Sequence, residues 1–127
     1  MSFAFNPHAG PVIVLADLEG PAASAALRLA LDTGATDTAI APARLVAAGY
    51  DPTNASQQVQ VMTGSGWVRV PIVTVQRLTA LGQTRTGLAV LALALPKSSL
   101  IDGVLGLDFL RSLKLEIDFR SGTIDLK

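Results

Sequence analysis

Residues 27–38 read LRLALDTGATDT, an apolar run that halts at Asp32 and passes at once into Thr33, Gly34 and Ala35. Small and polar residues after a strand ordinarily make a turn: Asp and Thr accept main-chain hydrogen bonds, and Gly admits positive φ. The same turn can present a carboxylate for chemistry. Its neighbours in the chain decide between the two uses.

On either side the pattern is that of short strands, rich in Val, Ile, Leu and Thr and punctuated by Gly, Pro, Asn or Asp. PVIVLADLEG (11–20) predicts a strand turning near Glu19 to Pro21, and SAALRLALD (24–32) predicts its antiparallel return. Pro42 to Ala48 predicts a helix, with Pro at an early position and Gly49 just beyond the end. SQQVQVM and WVRVPIVTVQRL flank TGSG at 63–66, which predicts a hairpin with a glycine-containing tip. Val68, Val70 and Ile72 alternate with Arg69 and Pro71, as in a strand with one face inward. LGQTRTGLAVLALALP predicts a polar turn and then a strand buried on both faces. IDGVLGLDFLRSL predicts a glycine-bounded strand entering a short helix, and KLEIDFRSGTIDLK a hairpin turning at Arg120 to Gly122. The sum is a mainly β domain, closed or barrel-like, with one or two short helices. It is placed at residues 11–127, after an N-terminal extension at 1–10 that includes His8.

Composition narrows the chemistry. The chain has 127 residues, half of them apolar and 16% charged, and its ten Lys and Arg balance ten Asp and Glu. That is one core-forming domain, with no electrostatic reason to expect nucleic acid or an anionic membrane as partner. Without cysteine there is no disulfide framework, thiolate metal site or Cys nucleophile, and one histidine argues against Ser-His-Asp catalysis and multi-histidine metal centres. Carboxylates and hydroxyls remain, and neither metal nor organic cofactor is expected. The start lacks the pattern of a signal peptide, and the longest apolar run, GLAVLALALP, is about half a membrane span. The chain as given is expected in the cytoplasm and out of contact with membrane, although the sequence is also compatible with excision from a longer, membrane-anchored parent.

About 70 residues beyond Asp32 stands DGVLGLDFL, apolar residues between two glycines leading into a helix. With ALDTGATDT, VMTGSGWVRV, GVLG (103–106) and LDFLRSL in this order, the chain resembles the retropepsin-like aspartic proteases (clan AA) over nearly its whole length, from residue 11 to 127. The resemblance implies a closed acid-protease barrel, a flap formed by the 61–70 hairpin, and a homodimer acting on peptide or protein substrates. It implies that Asp32 is catalytic, that Thr33 locks its loop to the partner's loop, and that Gly34 lines the cleft. Ala35, Thr36, Gly64, Ser65, Gly66 and Trp67 are expected at the substrate, Trp67 being about equally suited to packing on the barrel.

The chemistry needs two carboxylates. Hydrolysis without a metal or covalent intermediate requires water to be deprotonated as it attacks and the carbonyl oxygen to be protonated as it gains charge. Two close carboxylates share one proton, titrate as a pair and supply both functions. The chain has a single Asp-Thr-Gly. Asp102, Asp108 and Asp118 lack the following Thr-Gly and are expected in structural positions at a strand start, a helix start and a turn. A two-fold axis uniting two copies of Asp32 is the economical source of the second group. Retroviral members carry Asp at the position of Thr36 and Arg at that of Leu107, a pair absent here, so the dimer interface need not copy theirs. The rival reading is a non-catalytic module that keeps the fold to dimerise or to grip extended peptides.

Overall fold

The computed structural model describes residues 1–127, the side chain of Lys97 aside. In chain order the elements are β1 (Ser2–Ala4), β2 (Ile13–Glu19), β3 (Ser24–Leu31), β4 (Ala39–Ile40), α1 (Pro42–Ala48), β5 (Gln57–Thr63), β6 (Gly66–Ala80), β7 (Gln83–Ala92), β8 (Gly103–Leu105), α2 (Leu107–Leu110), β9 (Leu115–Asp118) and β10 (Thr123–Leu126).

Six strands close a barrel. β2, β3, β8, β4, β7 and β6 are neighbours in that order, and β6 returns to β2 through Ala16↔Ala80 to Glu19↔Arg77. Closure satisfies strand edges that would otherwise invite pairing with other chains. Period-two patterning sets the faces: in β2, Val14, Ala16 and Leu18 are buried while Leu15 and Asp17 are exposed. Leu18, Leu27, Leu29, Ile40, Val75, Leu78, Val90 and Leu105 fill the interior, with Leu45 of α1 and Phe109 of α2 closing it. Each such large side chain contributes roughly 1.5–3 kcal/mol by leaving water.

β6 serves two sheets. Its first half pairs with β5 from Thr63↔Gly66 to Gln57↔Ile72, outside the barrel, and its second half pairs with β7 and β2. The alternation read from the sequence holds as far as Val70. Ile72 is only half-buried, and Val73 then takes the core position. Tyr50, just after α1, ties the junction: its hydroxyl donates to the Glu19 carbonyl and accepts from the Gln76 N–H.

α1 spans the predicted residues and ends on Gly49 in the left-handed region, φ 102°, whose N–H returns to Leu45 and Val46 carbonyls. β7 departs from expectation. It begins at Gln83, inside the predicted polar turn, and ends at Ala92, and it is not buried on both faces: Val90 and Ala92 point to the core, Leu91 is half-buried and Ala89 is exposed. A barrel strand has only one interior face, so the other Leu and Ala side chains look outward. The turn itself is Leu81–Gly82, both at positive φ.

β1, β10 and β9 form a separate antiparallel sheet, with Ser2↔Asp125 and Ala4↔Thr123 at the limits of the β1–β10 ladder. Residues 1–10, read as an extension, thus contribute a strand and the core-packed Phe3 and Phe5.

Candidate active site

β3 runs into Asp32, whose N–H donates to the Leu105 carbonyl at 3.0 Å. The loop then turns back on its own carboxylate: the Gly34 N–H donates to Asp32 Oδ1 at 2.9 Å, and the Ala35 N–H to the Asp32 carbonyl at 3.2 Å. The Asp32 side chain is half-buried at the end of a buried strand, while Thr33 and Gly34 are exposed. One carboxylate oxygen is therefore fixed by a main-chain donor within a loop that faces outward.

Each of the other carboxylates weighed as a second catalytic group has local partners. Asp102 accepts from the Arg28 N–H at 2.9 Å and from Arg44 Nε at 3.0 Å. Asp118 accepts from the N–H groups of Arg120 and Ser121, which hold its carboxyl below the usual carboxylate range. Asp108 accepts from Thr38 and from its own helix at the Phe109 N–H.

Beyond the Asp32 loop lies a groove of about 440 Å³ that brings Ala35 and Thr36 together with Trp67 from β6. Val59, Val61 and Met62 of β5 and Leu91, Leu93 and Val104 of the barrel make it predominantly apolar, with Asp37 and Gln60 as polar members. Trp67 is 65% exposed and Met62 59% exposed, so Trp67 overhangs the groove and does not pack into the barrel wall. Its position in the β5–β6 hairpin, outside the six-strand ring, accounts for this exposure.

Gly64, Ser65 and Gly66 stand at the hairpin tip, away from the groove lining. Thr63 Oγ1 accepts from the Ser65 N–H and donates to the Gly66 carbonyl at 2.9 Å, and Gly66 has φ 112°, so a two-residue turn is closed by its own side chain. The larger cavity, about 570 Å³ between β1, β2 and the Leu81–Gly82 turn, includes none of the predicted site residues. Among the described residues no three His, Cys, Asp or Glu side chains cluster as metal ligands would.

The groove residues Val59, Met62, Leu91 and Leu93 were not anticipated. Their signal in the sequence is only that of strand residues, and the groove exists because β5 leaves the barrel.

A strand-borne Asp-Thr-Gly loop, tied to the glycine-bounded segment 103–106 of a six-strand barrel and separated by a groove from the β5–β6 hairpin, defines the retropepsin-like class of aspartic protease folds. A sequence model described as aspartyl protease matches residues 16–109, and the chain belongs to that family. Its fold is similar to that of a retropepsin-like aspartic protease from Rickettsia conorii, at 20% identity and a TM-score of 0.74, over 99% of this chain and 89% of that one. No curated protein matches the sequence. Among the described residues no helix is long and apolar enough to cross a membrane.

Proposed function

We propose that the protein is an aspartic endopeptidase assembled from two copies of this chain, with its catalytic dyad made of Asp32 from each. The observation that carries the reading is the state of the carboxylates: Asp32 is held by the Gly34 N–H at an outward-facing loop, whereas Asp102, Asp108 and Asp118 are engaged by structural donors. Family membership supports peptide hydrolysis as the reaction, and the two-fold arrangement supplies the group one chain lacks.

In the dyad, one carboxylate is ionised and the other protonated. The ionised one removes a proton from water as the water oxygen bonds to the peptide carbon, and the protonated one gives its proton to the carbonyl oxygen. The diol collapses as the carboxyl that took the water's proton gives it to the amide nitrogen, the carbon–nitrogen bond breaks, and the other carboxylate takes a proton from a diol hydroxyl, so that one carboxyl is again ionised and the other protonated. Thr33, exposed beside Asp32, faces the partner's loop, and Gly34 allows the substrate main chain to approach. The substrate lies extended beneath the β5–β6 flap, pairing with main-chain groups as an added strand would. Ala35, Thr36 and Trp67 border its apolar side chains, and Gly64, Ser65 and Gly66 form the cover.

The test compares wild type with Asp32→Asn on a peptide library between mildly acidic and neutral pH, with pepstatin as inhibitor. Wild-type cleavage that is lost in the variant is expected. Cleavage undiminished in Asp32→Asn would overturn the mechanism, and wild type that binds peptides without turning them over would favour the binding-module reading.

A further inference from the structure

The Asp32 loop is fastened to the segment after β8 by a pair of residues that the proposed reaction does not use. Thr38 is the one fully buried polar side chain among the described residues, at 0% exposure. Its N–H donates to Asp108 Oδ2 at 3.0 Å, and its hydroxyl donates to Asp108 Oδ1 at 2.7 Å. The same hydroxyl oxygen accepts from the Gly106 N–H at 3.1 Å. Around this link, the Leu107 N–H donates to the Ala35 carbonyl at 2.8 Å and the Asp108 N–H to the Thr36 carbonyl at 3.1 Å. Residues 32–38 are thereby tied to residues 105–108 at both ends, at Asp32 through Leu105 and at Thr38 through Asp108.

We propose that Thr38 and Asp108 are positioning residues for Asp32, an inference that rests on the catalytic reading above. Hydrogen bonds to a carboxylate are shorter and about twice as strong as neutral ones, and the 2.7 Å contact is of that kind. A hydroxyl that both donates and accepts inside the core fixes its neighbours in angle as well as distance. The positions whose charged pair is missing, Thr36 and Leu107, lie two and one residues before Thr38 and Asp108. The fastening is thus present within one chain, displaced from those positions and carried by a hydroxyl and a carboxylate. Catalytic groups must be held within about half an ångström of productive geometry, and a misplacement of about 1 Å can reduce rate about 100-fold.

The experiment uses Thr38→Val, which keeps the shape and removes the hydroxyl, and Thr38→Ser, which restores it. The substrate is a peptide cleaved by wild type and not by Asp32→Asn, assayed well below the unfolding temperature of each variant. The expected result is a kcat about tenfold to 100-fold lower in Thr38→Val with KM within about twofold of wild type, and recovery of most of kcat in Thr38→Ser. A Thr38→Val protein that melts earlier but turns over at the wild-type kcat would overturn the proposal, as would a change confined to KM. A second readout needs no substrate. Amide hydrogen exchange at Asp32, Ala35, Leu107 and Asp108 is expected to quicken in Thr38→Val while the β6–β7 amides keep their protection, and unchanged exchange at all four would also overturn it. If wild type cleaves nothing, or Asp32→Asn cleaves equally well, the catalytic reading fails, and the exchange data still decide whether Thr38 holds the loop.

Discussion

Gly103 and Gly106 show how closely backbones approach around the Asp32 loop. A Cβ on Gly103 would lie 2.0 Å from the Ala39 carbonyl oxygen, and one on Gly106 would lie 2.7 Å from the Asp37 carbonyl carbon and 2.9 Å from the Ala35 oxygen. Neither obstacle is a movable side-chain tip, so an added methyl must shift main chain. Gly103→Ala is expected to destabilise the fold by about 3 kcal/mol, read as a lower urea midpoint at unchanged m-value. Part of this scale was legible beforehand. Asp32, Thr33 and Gly34 are contiguous, so the motif and its turn could be read from the chain, and GVLG was readable as a glycine-bounded strand. The Thr38–Asp108 link was not, because its members are 70 residues apart and nothing in a threonine two residues after Ala-Thr marks it as buried.

Among the elements, the β6–β7 hairpin turns in an unusual way. Its two central residues, Leu81 and Gly82, have φ 52° and 75°, the sign that a tight two-residue hairpin requires. Glycine adopts this freely, whereas a leucine there costs about 1–2 kcal/mol. Leu81 is nevertheless 5% exposed and part of the core, and its burial contributes roughly 1.5–3 kcal/mol. Burial wins, by a small margin. Leu81→Asn, which suits the backbone and forfeits the packing, should therefore lower stability by only about 1 kcal/mol, measured by thermal or urea unfolding. In sequence LGQT has the composition of a polar loop and the apolar run after it that of a strand buried on both faces, so neither the tightness of the Leu81–Gly82 turn nor the single inward face of β7 is legible there. The helix at Pro42 to Ala48 was legible because Pro and Gly mark its two ends in the sequence itself. Trp67 was not, since the same residue would serve a barrel wall or an overhang, and only the departure of β5–β6 from the ring separates the two.

At the scale of the whole molecule, the barrel interior and the sheet β1–β10–β9 are completed by one chain. β10 already has a neighbour on each side, so a second copy need not contribute a strand to finish the fold. Under the proposed function, dimerisation supplies the second Asp32 and not the core. The melting temperature should accordingly fall modestly on dilution and then level off at the folded monomer's own value, while activity per chain goes on falling; a melting temperature that keeps dropping without a plateau would show that folding and association are coupled. The closed, mainly β architecture was legible from strand spacing and from the order of the motifs. Of the terminal sheet the β9–β10 hairpin was legible and the third strand was not, because β1 is three residues with Phe3 at its centre, too short to show a period. That sheet has one more consequence. Because Ser2 sits opposite Asp125, the two ends of the chain emerge from adjacent strands, about 5 Å apart across the ladder. A short peptide can join them, and the chain can then be reopened between Gly64 and Ser65. Such a circular permutant would keep the Asp32 loop and the barrel on an unbroken backbone while cutting the β5–β6 hairpin at its tip, which under the proposed function would separate the bond-breaking loop from the cover over the substrate.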